Sequence, residues 1–229
     1  MSAHLGIGKC APGRTWFGAS NTIATDNTAE ALLGQEIEIR NKAALSSKSR
    51  RNGKSRILRL VRNNSGCILY PGQGVVWGAT RIGEYVYGVQ NDNLNGAMIA
   101  GIVDDWLPSA GVRPSDYFFI VIEGEVLGLT PMTGAGFGET AGIAVGDVLY
   151  CGVTTAASTG ATSGAPLTGY TGGRVLKAPP HGTTVFTATQ TTDGTLWSSA
   201  RHSFARALSA RTSGQTNTTV LIEIIRKLK

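Results

Sequence analysis

Short runs of β-branched and aromatic residues recur along most of this chain, separated by Gly, Pro, Asn and Ser turns. Within the runs, apolar and polar positions often alternate, which is typical of half-buried β-strands. The pattern predicts a strand at 36–39 and further strands at 57–62, 67–70, 74–77, 84–89, 97–103, 117–123, 124–129, 148–150, 173–177, 184–189 and 219–226. The predicted fold class is all-β, a β-sandwich or barrel of many short antiparallel strands.

The N-terminal part of the chain differs in texture from the rest. In residues 1–54, Gly, Ala, Ser, Thr and Asn dominate and apolar residues are too sparse to close a core. We interpret this part as an extended, mostly irregular arm that carries a basic segment, with at most a short helix around 28–33. Residues 55–229 are interpreted as the β-rich domain, either one unit or two packed β-units.

Alternation alone also predicts which residues form the core of the β-rich domain. These predicted core residues are Ile57, Leu60, Ile68, Val76, Val86, Ile99, Phe119, Val121, Val126, Val148, Val175, Val220, Ile222 and Ile224.

Composition narrows the function classes. Charged residues make up only 16% of the chain and glycine occupies 31 positions, which fits many tight turns between strands. Cys10, Cys67 and Cys151 lie far apart, so we expect reduced thiols and neither a disulfide framework nor a zinc site. There is no signal-peptide pattern and no run of about 18 apolar residues, so we expect neither export by a cleaved signal nor a membrane span.

Few residue groups favour catalysis. The loop 160–167 is similar to the nucleophile loop of trypsin-like serine proteases through Ser163, but His4 is the only histidine that precedes it. Glu123 and Glu125 would share one face of a continuous strand and could form a carboxylate pair, although solvated strand edges have the same pattern. We therefore do not expect an enzyme or a cofactor. A serine hydrolase acting through Ser163 ranks third, behind two non-enzymatic hypotheses.

Several motifs occur in one order between residues 58 and 227. A polar turn leads to a Gly-x-x-Val unit, a middle strand ends in a glycine turn, a Gly-Asp-x-Leu-Tyr unit follows, and Arg-x-Leu units precede a final apolar strand. The residues are Asn63-Asn64-Ser65-Gly66 with Gly72-Gln73-Gly74-Val75, Phe118 to Gly124, Gly146-Asp147-Val148-Leu149-Tyr150, Arg174-Val175-Leu176, Arg206-Ala207-Leu208 and Val220 to Ile225. In this order they resemble the capsid cement, or decoration, proteins of tailed bacteriophages.

The resemblance implies a structural virion protein without an active site. Such a protein lies on the outside of the expanded head, after assembly in the host cytoplasm, and bridges neighbouring subunits of the major capsid protein. Several weak contacts per oligomer would then act together, because linked sites bind at high effective concentration. The implied partners are the major capsid protein and further copies of this chain, as a dimer or trimer. Neither a membrane nor nucleic acid is expected as a partner.

The net charge of +6 is concentrated in one segment. Residues 40–62 contain nine bases and no acid, whereas residues 1–39 carry two bases and four acids and residues 63–229 carry ten and eleven. Clustered cations favour attachment to an acidic surface, either nucleic acid or a negatively charged capsid exterior, although a solvated linker has the same pattern. The segment has no aromatic residue to stack on bases. The predicted capsid-binding residues of the arm are Arg40, Lys42, Lys48, Arg50, Arg51, Lys54 and Arg56.

A second hypothesis is a carbohydrate-binding β-domain of a head or tail fibre. It requires exposed aromatic rings that stack on sugars, and the candidates are Trp77, Trp106 and Trp197. Packing in the core or at a subunit interface is the other interpretation of these three side chains.

Overall fold

The computed structural model describes residues 32–40, 55–78, 81–88, 99–130, 142–153, 172–177, 204–212 and 219–224. Within these ranges the chain forms strands and turns and no helix, which confirms the all-β prediction. The strands are β1 (Glu36–Arg40), β2 (Ser55–Asn63), β3 (Gly74–Trp77), β4 (Tyr85–Gly88), β5 (Ile99–Val103), β6 (Tyr117–Leu129), β7 (Val148–Val153), β8 (Gly172–Lys177), β9 (Ala205–Ala207) and β10 (Thr219–Ile224).

Five of these strands close into a barrel. They pair in the order β2-β4-β3-β5-β6, and β6 pairs back with β2. All the pairs are antiparallel except β2 with β4, where Arg62 lies opposite Tyr85 in a parallel register. The predicted alternative of sandwich or barrel is therefore resolved in favour of a barrel, with extra strands added to it.

The extra strands extend the barrel on two sides. β1 pairs with the first half of β2, with Glu36 opposite Arg59 and Arg40 opposite Ser55. On the other side, β10, β9, β7 and β8 follow the second half of β6 in that order. Residues 36–40, which the sequence pattern assigned to the N-terminal arm, thus belong to the same sheet as the β-rich domain.

Strand β6 holds the two parts together. The sequence predicted two strands here, but residues 117–129 form one continuous strand that pairs first with β2 and then with β10. The register shifts where Val121 faces Leu58 and Glu123 faces Ile57, so one extra residue of β6 is accommodated there. Gly124 follows directly with a φ of 93°, in the left-handed region that favours glycine.

Both faces of the barrel strands are buried. One face packs with Leu69, Leu107 and Val112 from the connections between strands. The other face packs, in a single cluster, against the second sheet, which consists of the second half of β6 with β10, β9, β7 and β8. That cluster joins Leu58, Leu60, Val76, Ile102, Tyr117, Phe119 and Val121 to Val126, Ile143, Leu149, Cys151, Val175, Phe204, Ala205, Ala207, Val220, Ile222 and Ile224. The described parts of the two sheets therefore share one core.

Most of the predicted core is confirmed, with four corrections. Ile57, Ile68 and Ile99 are only partly buried, and Val148 is 50% exposed. Alternation placed Val148 in the core, but Leu149 and Cys151 are the residues of β7 that are fully buried, so the strand has the opposite register.

The predicted strand at 67–70 is absent, and its place is taken by an isolated bridge between Leu69 and Val112. The buried side chain of Asn63 provides hydrogen bonds to the backbone here: its Nδ2 donates to the carbonyls of Cys67, Val112 and Arg113 at 3.0–3.2 Å. The predicted strand at 184–189 and most of the predicted helix at 28–33 lie outside the described residues, and residues 32–34 form a turn.

Three glycines provide a matched test of the bend in β6. A Cβ on Gly124 would lie 2.8 Å from the carbonyl oxygen of Ser55 and 3.0 Å from Cα of Arg56, whereas one on Gly146, with a φ of 91°, would meet nothing within 4 Å. Gly66 also has open space around it. We expect Gly124→Ala to lower the free energy of unfolding by about 3 kcal/mol or more, since backbone strain and steric overlap add.

The two other variants separate these contributions. Gly146→Ala carries only the cost of the left-handed backbone, about 1–2 kcal/mol, and Gly66→Ala should change stability by less than about 0.5 kcal/mol. Urea unfolding followed by circular dichroism measures all three. Equal losses for Gly124→Ala and Gly146→Ala would contradict a close approach of β2 and β6 at this point.

Candidate interaction surface

Strand β2 contains three bases of the basic segment, Arg56, Arg59 and Arg62. The sequence pattern treated them as one run of cations. The fold gives each a different set of partners, because β2 has β1, β4 and β6 as neighbours at different points along its length. Their environments decide which of them is available to a binding partner.

Arg56 is buried and neutralised inside the protein. Its side chain is 3% exposed, and its Nη2 and Nη1 donate to Oδ1 of Asp104 at 2.9 Å and Oδ1 of Asp105 at 2.7 Å. The guanidinium lies 3.6 Å from the centre of the Trp106 ring, close enough for a strong cation–π contact. This residue was predicted to bind a capsid, and in the structure two carboxylates and an aromatic ring surround its charge.

Arg59 is also paired, nearer to the surface. It makes an ion pair with Glu36 of β1, and its guanidinium lies 5.4 Å from the centre of the Trp77 ring. The turn at Gly83 is adjacent, since a Cβ at that glycine would lie 3.9 Å from Nη1 of Arg59. Arg59 therefore joins β1 to β2 and to the hairpin of β3 and β4.

Arg62 has a different environment, formed mainly by tyrosines. Its guanidinium lies 5.6 Å and 5.7 Å from the ring centres of Tyr85 and Tyr117. Its Nε donates to the carbonyl of Ser115 at 3.3 Å, and its Nη1 donates to the hydroxyl of Tyr85 at 3.5 Å. No carboxylate in the described part of the chain pairs with Arg62.

Arg81 completes this arrangement from the turn that precedes β4. Its guanidinium lies 4.6 Å from the centre of the Tyr85 ring, its Nη1 donates to the Tyr85 hydroxyl at 2.6 Å, and its Nε pairs with Glu84 at 2.6 Å. The next residue, Ile82, is 66% exposed. The spacing of charges in the sequence did not indicate this group, because Arg62 and Tyr85 meet only through the parallel pairing of β2 and β4.

Of the remaining bases, Arg40 is the last residue of β1, and the other five lie outside the described residues with one topological constraint on them. Lys42, Lys48, Arg50, Arg51 and Lys54 belong to the connection 41–54, and the backbones of Arg40 and Ser55 at its two ends lie opposite each other in the sheet. These bases were expected on an arm that precedes the domain. They are instead on a connection that begins and ends at the edge of the barrel.

The residues weighed for catalysis are arranged as follows. Glu125 is buried and lies opposite Glu223 of β10, while Glu123 lies opposite Ile57 of β2, so the register gives the two carboxylates different neighbours. Among the described residues, no three His, Cys, Asp or Glu side chains lie close enough together to hold a metal ion. Ser163 and the three histidines are outside the described ranges.

Cys151 is buried in the shared core. A Cβ on Gly74 would lie 2.0 Å from its Sγ, so the sulfur packs directly on the backbone of β3. Burial raises the pKa of the Cys151 thiol far above its ordinary value. Since the thiolate is the nucleophilic form, this side chain is a packing residue. Cys67 is half-buried, and neither of these two cysteines is in a disulfide.

Each of the two tryptophans that the structure describes lies against an arginine side chain. Trp106 covers the guanidinium of Arg56 and Trp77 lies beside Arg59, and both rings are partly buried. Neither ring is presented as an open stacking platform of the kind a sugar-binding site requires. Trp197 lies outside the described residues.

Comparison with known proteins found no matching protein-family model, no matching curated protein and no matching solved structure. No helix long and apolar enough to cross a membrane occurs in the part of the chain that the structure describes.

The buried cluster at Arg56 makes a direct prediction. Arg56→Met leaves two aspartates buried without their cation, and we expect it to lower the free energy of unfolding by about 3–5 kcal/mol. Arg59→Met, whose partner Glu36 is partly exposed, should cost about 1 kcal/mol or less. Urea unfolding measures both. The further replacement of Asp105 by Asn in the Arg56→Met protein should restore part of the loss, and equal losses in the two single variants would contradict the buried pairing.

The packing of Cys151 is tested by alkylation. In a Cys10→Ser, Cys67→Ser background, we expect iodoacetamide at about pH 8 to modify Cys151 only at the rate at which the protein unfolds, because the folded thiol is inaccessible and protonated. Mass spectrometry follows the modification with time, and urea below the unfolding midpoint should accelerate it. Modification at the rate of a free thiol would show that β7 does not pack on β3.

Proposed function

We propose that this chain is a structural, non-enzymatic component of a tailed-phage virion that binds the outer surface of the capsid. The observation that carries the mode of binding is the basic connection 41–54, in which five bases and no acid lie between two strands that pair at the barrel edge. The order of motifs along residues 58–227 supports the kind of partner. The partner in this proposal is the major capsid protein.

The motifs that carry the resemblance coincide with points where the backbone is constrained. Asn63 anchors the connection between β2 and β3, and Gly72, Gly124 and Gly146 all have positive φ values. A Cβ on Gly72 would lie 2.7 Å from the carbonyl oxygen of Leu127. The motifs therefore lie largely at positions that determine the fold. They support an architecture in common with decoration proteins more directly than a contact surface in common with them.

The position of the basic connection limits how it attaches. A chain whose two ends are held side by side reaches at most half of its extended length, which is roughly 25 Å for residues 41–54. Those residues therefore contact the surface on which the barrel itself sits and do not span a neighbouring capsid subunit. Clustered cations on a short connection steer association and add affinity at low ionic strength.

Two matched triple variants test the proposal. Lys48→Gln, Arg50→Gln and Arg51→Gln remove three charges from the connection, and Arg113→Gln, Lys177→Gln and Arg206→Gln remove three from exposed positions elsewhere. Each triple variant removes three positive charges and so reduces the net charge from +6 to +3. We expect the first to weaken binding to purified heads of the source virus about tenfold or more at low salt, and the second to change it by less than about threefold.

The measurement is co-sedimentation of the purified chain with heads, after quantitative mass spectrometry has given its copy number relative to the major capsid protein. A fixed ratio with hundreds of copies is expected of a decoration protein. Absence of the chain from particles would refute the proposed function. Equal weakening by the two triple variants would refute the role of residues 41–54 alone.

A further inference from the structure

We propose that Arg62, Tyr85 and Arg81 form a binding site for an oxyanion, either a carboxylate or a phosphate group. This site is separate from the basic connection, and the inference does not rest on the proposed virion function. It rests on the hydrogen-bonding capacity of the three side chains, on the backbone that holds them, and on the charge balance around them.

The first observation is a surplus of donors at one point. The Tyr85 hydroxyl accepts from both Arg81 and Arg62, at 2.6 Å and 3.5 Å, so its own proton points to a third group. Neither arginine can accept that proton, because a guanidinium has only donors. Within the described residues, the Tyr85 hydroxyl donates to no acceptor, and Arg62 donates only through its Nε and Nη1. An acceptor-rich group placed beside Tyr85 would receive both the hydroxyl proton and the remaining N–H groups of Arg62.

The second observation concerns charge. Arg56 and Arg59 each have a carboxylate partner, whereas Arg62 has none in the part of the chain that the structure describes. Arg81 is paired with Glu84, so that carboxylate is already engaged by another cation. Arg62 is partly buried between two aromatic rings, where its guanidinium is less hydrated than at an open surface. An anion is the ligand that compensates this charge.

The third observation is backbone strain in the same place. Among the described residues, only Arg81 and Ser115 combine a side chain with a left-handed backbone, with φ values of 56° and 71°. Arg81 supplies one guanidinium of the site, and the carbonyl of Ser115 fixes Nε of the other. A non-glycine residue in this conformation costs about 1 kcal/mol or more, and such residues are concentrated at ligand sites.

The site is also held by regular structure. Arg62 and Tyr85 are opposite each other in the parallel pair of β2 and β4, and the amide of Arg62 donates to the carbonyl of Glu84 at 2.9 Å. The amides of Glu84 and Tyr85 both donate to the carbonyl of Arg81 at 3.1 Å, which fixes the turn. Donors on paired strands need little reordering when an anion binds, so their geometry is available in the free protein.

Anion titrations followed by nuclear magnetic resonance test this inference. Backbone ¹H–¹⁵N spectra of the full chain are recorded at neutral pH and constant ionic strength, while sodium chloride is replaced by sodium acetate in one series and by sodium phosphate in another. We expect saturating shifts at the amides of Arg62, Glu84, Tyr85 and Ser115 in at least one series. Tighter binding of acetate identifies a carboxylate as the matching group, and tighter binding of phosphate identifies a phosphoryl group.

Three variants make the test specific. Tyr85→Phe keeps the ring and removes the hydroxyl, and Arg62→Gln removes the charge; each should weaken anion binding about tenfold. Tyr87→Phe is the matched control, because Tyr87 lies two residues along the same strand and its hydroxyl is paired with Asn64, so its titration should match that of the unaltered protein. Shifts that never saturate, or that saturate equally in Tyr85→Phe, would overturn the proposal. Because no heads are used, this result is independent of capsid binding.

Discussion

The fold depends on the close approach of β2 and β6 at Arg56 and Gly124. A side chain on Gly124 would overlap the backbone of β2, so glycine is required where β6 leaves the barrel and begins to pair with β10. The same point is fixed by charge, because Asp105 receives Nη1 of Arg56 on Oδ1 and the amide of Leu127, beyond the bend, on Oδ2. One buried carboxylate thus connects β2 to the half of β6 that carries the second sheet. The two sheets share a strand, an ion cluster and a core, although the barrel also has a second apolar cluster of its own.

The strands could be predicted from the sequence because period-two alternation depends on one buried face. Alternation gave wrong predictions where a strand is buried on both faces or has no regular partner. Barrel strands here are buried on both faces, so β2 places Arg56 in the interior beside Leu58, and alternation gives no signal for a buried cation. The segment 67–70 has strand composition but pairs only through the Leu69–Val112 bridge, because Asn63 and Gln73 side chains bond to the backbone of Cys67 and Tyr70 on either side of it. Val148 was expected inside because the pattern does not give the register of a short strand.

The candidate site was less predictable than the fold, for a related reason. A run of nine bases indicates a basic surface, but the sequence does not contain the partners of each base. Asp104, Asp105 and Trp106 lie about fifty positions from Arg56 along the chain and reach it only through the β2–β6 and β5–β6 pairings. Likewise, Arg62 meets Tyr85 through the one parallel pair of the barrel. Residues 41–54 were interpreted as part of an arm, but they connect two paired strands, since Arg40 of β1 lies opposite Ser55 of β2. The five residues of β1 were predicted as a strand only from a short alternation.

The basic segment therefore supplies three kinds of positive charge with different physical roles. The buried Arg56 contributes to folding and has no charge to offer a partner, since two carboxylates surround it. In the proposed function, the bases of 41–54 would act over distances of about a Debye length, so their effect on attachment would be largest at low ionic strength and insensitive to the exact geometry of the partner. In the proposed anion site, the Arg62–Tyr85 group would act only at hydrogen-bonding distance, where rigid donors discriminate between acceptors of different shape. A surface that combines long-range attraction with one rigid donor group can bind quickly through the first and select its partner through the second, which separates the rate of attachment from its specificity.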